Sequence, residues 1–248
     1  MEEVEYCDPF DGKKYGYFMK LEHCGRYIFS KDFVLKNNIK SVLDISSATG
    51  YGTEVLSKVC NNVVGVDKNE EYLKLARRRK IKNAKFLKHD FNFGVLKSEK
   101  VDLIVSFETI EHIENTENFM KSIQKNLKKN GYLLLSVPNE KYEQLDEFGN
   151  IVYPYHKHVF SKNQISKLLA EHGFEVIDLL GQSLCNMIIS NEHTLKHEMK
   201  GLYNKKLLNK YNYSKRAIEM NSYIYAYPNN ILIDESYSYI YVCKFIGK

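Results

Sequence analysis

The chain holds 248 residues, 44% of them apolar and 27% charged, with 4 prolines and 13 glycines. That balance belongs to a globular protein with a full-sized core, not to a low-complexity linker. A net charge of +5 spread along the chain, five cysteines that never form a C-x-x-C pair, and an acidic start (Met1-Glu-Glu-Val-Glu-Tyr6) without an apolar stretch argue against a basic tail, a thiolate zinc site and a secretion signal.

The first predicted strand is Ser41–Ile45, with a helix over Gly52–Val59 behind it. Asn62–Val66 is a second strand, followed by an amphipathic helix at Glu70–Lys80 whose basic end (Arg77-Arg-Arg-Lys80) reads as a solvated face. Ala84–Lys88 and Val101–Ser106 are the next two strands, Asn118–Lys128 a helix, and Gly131–Val137 a fifth strand closed by Pro138-Asn139. Ser161 caps a helix that runs to Glu171 and stops at Gly173, Glu175–Leu180 is a sixth strand, and Ser238–Ile246 a seventh. Strands alternating with helices predict an α/β protein with a doubly wound, mostly parallel seven-stranded sheet. Residues 1–40 read as a helical cap, 41–182 as the core and 183–237 as an insertion or lid, with 238–248 returning the last strand. Within the insertion, a helix is expected near Lys205–Met220 and a tyrosine-rich strand near Ser222–Tyr227.

Ligands of open α/β sheets sit beyond the carboxyl ends of the strands. The first strand leads into Asp44-Ile-Ser-Ser-Ala-Thr-Gly-Tyr-Gly52, a tight turn of small residues that lets backbone amides approach a polar ligand. The second ends at Asp67, suited to ribose hydroxyls, and the third is followed by Asp90 and Phe91, an acid for an adenine amino group beside an aromatic ring. Each has a structural alternative as a cap or core residue. Together, in order at successive strand ends, they point to an adenosine ligand.

After the fourth strand comes Phe107-Glu-Thr-Ile-Glu-His-Ile113. If a helix starts there, Glu108, Glu111 and His112 share one side of it. His156 and His158 follow the fifth strand and, in an extended segment, point the same way. Two carboxylates with imidazoles and no thiolate suit a divalent cation such as Mg2+ or Mn2+. A metal-free general base at His112, His156 or His158, and a purely structural role, remain open alternatives.

Val42-Leu-Asp-Ile45 with Thr49-Gly-Tyr-Gly52, Val64-Gly-Val-Asp67, His89-Asp90, Val101–Glu108 and Leu127–Asn139 resemble the successive motifs of class I S-adenosylmethionine-dependent methyltransferases. Glu22-His23-x-x-Arg26-Tyr27, Pro154-Tyr-His156 with Phe160-Ser161, and Gly181-Gln182 resemble a bacterial branch associated with O-methylation of surface-polysaccharide sugars. The resemblance implies S-adenosyl-L-methionine as cofactor, with Asp44 and Gly50 bordering its methionine portion, Asp67 its ribose, Asp90 and Phe91 its adenine, and Arg26 its carboxylate. Ser46 and Ala48 stand where the family usually has glycine, and a Cβ is costly there if the turn needs positive φ. The E-x-x-E-H run with a later histidine is similar to the metal site of small-RNA 2′-O-methyltransferases and ubiquinone-pathway O-methyltransferases. A cytoplasmic enzyme methylating a small polar acceptor, a sugar or sugar nucleotide, is thus expected. No nucleic-acid partner or membrane span is expected, and homodimerisation is left open. RNA 2′-O-methylation and a catalytically inactive binding protein of the same fold are the alternatives.

Overall fold

The computed structural model describes residues 8–10, 16–182, 213–231 and 233–247. Its inner strands form where β-branched and leucine-rich runs are buried on both faces, the pattern of parallel sheets sandwiched between helices, while the edge strands Ala84–Lys88 and Phe174–Gln182 are more exposed. In chain order the elements are α1 (Tyr17–Lys36), β1 (Ser41–Ile45), α2 (Tyr51–Ser57), β2 (Asn62–Asp67), α3 (Glu70–Arg78), β3 (Ala84–Lys88), β4 (Val101–Phe107) and α4 (Thr116–Asn126). Then follow β5 (Leu127–Pro138), α5 (Lys162–Glu171), β6 (Phe174–Gln182), α6 (Lys215–Tyr225) and β7 (Ser238–Phe245). The seven strands lie in the order β3-β2-β1-β4-β5-β7-β6, and only β7 runs antiparallel to its neighbours. This is the expected doubly wound, mostly parallel sheet. The strand order reverses between β1 and β4, which opens a crevice at their carboxyl ends.

Side chains alternate between two cores, as a period of two requires. Leu43, Ile45, Ile104, Leu133 and Leu135 pack with Phe119, Met120 and Ile123 of α4 and Ile165 and Leu169 of α5. Val42, Leu103, Val105 and Leu134 pack on the other face with Tyr27 and Val34 of α1 and Val55 and Leu56 of α2. α5 carries both bonds of the capping box: the Gln164 amide donates to the Ser161 hydroxyl, and the Gln164 side chain accepts from the Ser161 amide. Cys24, Cys60 and Cys243 are buried free thiols. No described helix is long and apolar enough to cross a membrane.

Two expectations need correction. Ser222–Tyr225 is helical, continuing α6, rather than part of a strand. Tyrosine favours strands, but here Ile218 and Ser222 fall one helical turn apart on the buried face, and Ile218 packs with Leu21, Cys24 and Ile28 of α1, so tertiary packing overrides propensity. Nor does a helix start at Glu108, the condition under which Glu108, Glu111 and His112 would share one side of it. Glu108 adopts φ 47°, only a 3-10 turn follows at Ile110–His112, and α4 begins later, where the Asn115 side chain caps the amide of Asn118. Of the expected insertion or lid at 183–237, residues 183–212 lie outside the described residues.

Candidate functional site

A cavity of about 600 Å³ opens at the carboxyl ends of β1 to β4. At one end, the chain leaves β1 through a turn in which Ser46, Ala48 and Gly50 all adopt positive φ, at 58°, 45° and 76°. The amide of Ser47 donates to Val66 O (3.0 Å) and that of Gly50 to Ser47 O (2.8 Å), so the turn is pinned to β2 before α2 starts. Asp67 completes it. One carboxylate oxygen accepts from the Ala48 amide (2.9 Å) and the other from the Asn69 amide (2.8 Å). Burial raises the Asp67 pKa, although these amides favour the ionised form. Outside the turn, Asp8 accepts from the Thr49 hydroxyl (2.8 Å) and pairs with Arg79, bracing the same loop from the N-terminal side.

Arg26, Ser46, Ala48, Asp67, Asp90 and Phe91 all line the cavity. Asp90 accepts from the Asn92 amide (3.0 Å), and Phe91 is held edge-on against Phe119. Asp44 and Gly50, expected to border the methionine portion, are buried and are not among the residues lining the cavity. Asp44 is fully buried and accepts from the Tyr27 hydroxyl (2.8 Å) and the Thr53 hydroxyl (2.6 Å); burial pushes its carboxyl up to about 7. Gly50 is required by space as well as by φ, because a Cβ there would meet the Ala76 methyl and the Phe86 ring at 2.9 Å.

Arg26, on α1, is 4% exposed. Its Nε donates to Gln182 Oε1 (2.7 Å), and one terminal nitrogen lies 3.8 Å from Glu108. Burial opposes its charge, but Glu108 and Glu22 more than offset that, and its pKa is raised.

The other end of the cavity is built where β4 and β5 finish. The left-handed turn at Glu108 sends its carboxylate towards β5 and β7, where it accepts from the hydroxyls of Ser136 (2.6 Å) and Ser238 (3.2 Å). Glu111 is 2% exposed, and neither of its carboxyl oxygens has a hydrogen-bond partner. Burial, and then Glu108, hold its pKa well above the usual carboxyl range. His112 Nδ1 lies 3.0 Å from the Tyr155 carbonyl, and His156 Nδ1 lies 2.7 Å from Glu143. Ligand atoms of Glu111, His112 and His156 all fall within 4.8 Å of one another. Glu108 and His158 stand outside this group: the Nε2 of His158 is buried without a partner, and its ring lies 5.3 Å from that of Phe160. The segment is not a strand, so the alternation expected for the two imidazoles does not apply. It is held instead by the amides of Lys157 (2.7 Å) and His158 (3.2 Å), both donating to Glu111 O.

Residues 23–179, more than half of the chain, match the family described as Methyltransferase domain. The chain belongs to this methyltransferase family. A protein named as a probable S-adenosylmethionine-dependent methyltransferase of Mycolicibacterium smegmatis is 27% identical over 147 residues, covering 57% of this chain and 54% of that protein. The ubiquinone biosynthesis O-methyltransferase of Pelagibacter ubique is 30% identical over 119 residues, 44% of this chain and 49% of that one. The chain thus spans about half the length of these curated relatives. An S-adenosylmethionine-dependent methyltransferase from Clostridium acetobutylicum shares the fold, with a TM-score of 0.60 at 14% identity over 91% of this chain and 92% of that one.

Within the methyltransferase fold, three site features escaped sequence reasoning. Tyr27, in the EHxxRY run, bonds Asp44 and lines the cavity. Glu143, just past the 3-10 turn after β5, bonds His156, and Gln182 bonds Arg26 across 156 residues. Tyr27 and Gln182 stand in motifs quoted above but without these contacts assigned, whereas Glu143 carried no signal, its bond to His156 being made within the connection between β5 and α5.

Proposed function

We propose that this protein is an S-adenosylmethionine-dependent O-methyltransferase acting on a hydroxyl of a small polar acceptor, a sugar or sugar nucleotide. The observation that carries this reading is one continuous cavity with two chemically different ends. Asp67, Asp90 and Phe91 form an end suited to adenosine, while Glu108, His112 and Tyr155 line the other. When bound, S-adenosylmethionine supplies an electrophilic methyl group on a sulfonium. Asp67 holds the ribose hydroxyls, Asp90 accepts from the adenine amino group, and Arg26 pairs with the methionine carboxylate. The polar end holds the acceptor oxygen in line with the methyl carbon, so that the reaction gains chiefly from orientation.

The donor set at that end also fits a divalent cation. A carbonyl can only accept, so His112 carries its proton on Nδ1 and presents a bare Nε2. Glu143 orients His156 in the same way, as a carboxylate behind a metal-bound imidazole does. Glu111 adds an unpartnered carboxylate, and oxygen with imidazole nitrogen suits Mg2+ or Mn2+. Glu111, His112 and His156 would hold the ion, and bound there it would lower the pKa of the acceptor hydroxyl. The family relatives named as ubiquinone biosynthesis O-methyltransferases support oxygen as the methylated atom.

Calorimetric titration with S-adenosylhomocysteine tests the cofactor assignment, and absence of binding at millimolar ligand would sink it. Labelled methyl donor offered with nucleotide sugars, simple phenols and RNA oligomers tests the acceptor. Incorporation into RNA alone would overturn the small-acceptor reading.

A further inference from the structure

Gln182 ends β6 and is 1% exposed, yet all of its polar capacity in the structure is directed at neighbouring segments. Its Nε2 donates to Glu22 O (2.9 Å) on α1 and to Ala226 O (2.7 Å) just past α6. With both N–H groups committed to carbonyls, the amide has one orientation, and its Oε1 must face Arg26, whose Nε donates to it at 2.7 Å. The junction is tight on every side. A Cβ at Gly25 would lie 2.3 Å from Ala226 O, and one at Gly181 would lie 1.9 Å from Ser236 Oγ. Gly181 and Asn229 also exchange two backbone hydrogen bonds, at 2.7 and 3.0 Å.

A guanidinium presents its donors in a rigid planar fork. Holding Nε fixes the plane of Arg26 and leaves the terminal nitrogens for a carboxylate. Glu108 waits 3.8 Å away, close enough to capture a guanidinium released from Gln182 and neutralise it.

We propose that Gln182 is a positioning residue for the cofactor's amino-acid end: it aims Arg26 at the methionine carboxylate and ties that end of the site to the segment following α6. This rests on the cofactor reading above, in which Arg26 meets that carboxylate.

The test compares two ligands by calorimetry, S-adenosylhomocysteine and 5′-methylthioadenosine, which keeps the adenosine but lacks the carboxylate. Gln182→Met should weaken S-adenosylhomocysteine roughly 10–100-fold, the range for losing hydrogen bonds to a charged group, and leave methylthioadenosine within about threefold. Gln182→Glu, which places a competing carboxylate against Arg26, should show the same selective loss and serves if the methionine variant does not fold. In an Arg26→Ala background, Gln182→Met should cost nothing further for S-adenosylhomocysteine. A merely structural role would weaken both ligands alike, and that result overturns the proposal. So does an unchanged ligand ratio in both Gln182 variants while Arg26→Ala abolishes it. If the unmodified protein binds neither ligand, the cofactor reading itself falls. If Arg26→Ala leaves the ratio intact, the assignment of Arg26 falls and this inference goes with it.

Discussion

Replacing Ser46 and Ala48 together by glycine should stabilise the protein. Both residues sit in the left-handed region, at φ 58° and 45°, where an L side chain costs about 1–2 kcal/mol. Glycine removes that strain but gains freedom in the unfolded chain, which returns about 0.4–1 kcal/mol. The two sites together should therefore add roughly 1–2 kcal/mol, or about 2–8 °C in Tm for a domain of this size. The bonds that define the turn are made by backbone amides of Ser47, Ala48 and Gly50, and glycine keeps them all. Affinity for S-adenosylhomocysteine should accordingly be unchanged or tighter. Thermal unfolding followed by circular dichroism without ligand gives the Tm. Ala170→Gly, on the exposed face of α5, is the control of opposite sign and should cost about 1 kcal/mol. A Tm lowered by the double change, or lost ligand binding in a folded variant, would refute the strain reasoning and make the two side chains part of an adapted pocket.

Asp67→Ala should weaken S-adenosylhomocysteine by roughly 10²–10⁴-fold in calorimetry, because two hydrogen bonds to a charged acceptor contribute about 1.5–3 kcal/mol each; the lost clamp on Ala48 adds to this. Asp44 should make stability fall as pH rises. Its carboxyl is pushed from the ordinary 3.8 to about 7, so the native state holds the proton more tightly, and stability is lost between roughly pH 4 and 7. The Tm of Asp44→Asn relative to the unmodified protein should climb across that window, and a flat difference counts against the shift. A chelator should suppress methyl transfer while sparing S-adenosylhomocysteine binding. Manganese binding should drop roughly tenfold or more in Glu111→Gln, His112→Ala and His156→Ala but persist in His158→Ala, whose imidazole lies outside the cluster.

The sequence by itself determined the sheet and the acids at the carboxyl ends of its strands. Parallel strands buried on both faces must be continuous apolar runs, so Ser41–Ile45 and Val101–Phe107 announce themselves, and Asp67 and Asp90 are legible as acids at strand ends. Ser46 and Ala48 were legible as departures only through the family resemblance, which has glycine there; the structure adds that both adopt positive φ. What only the tertiary structure decided is how distant side chains pair. Spacing could not separate His156 from His158, because that loop takes its shape from the Glu111 carbonyl and its histidine partner from Glu143. Nor could it show Glu108 turning away from Glu111 towards Ser136 and Ser238, since the antiparallel return of β7 beside β5 brings those hydroxyls together. Gln182 reaches Arg26 because β6 and α1, far apart along the chain, are brought together only when α1 packs against the sheet that contains β6. Local rules act over a few residues, whereas these contacts depend on the closure of the whole core.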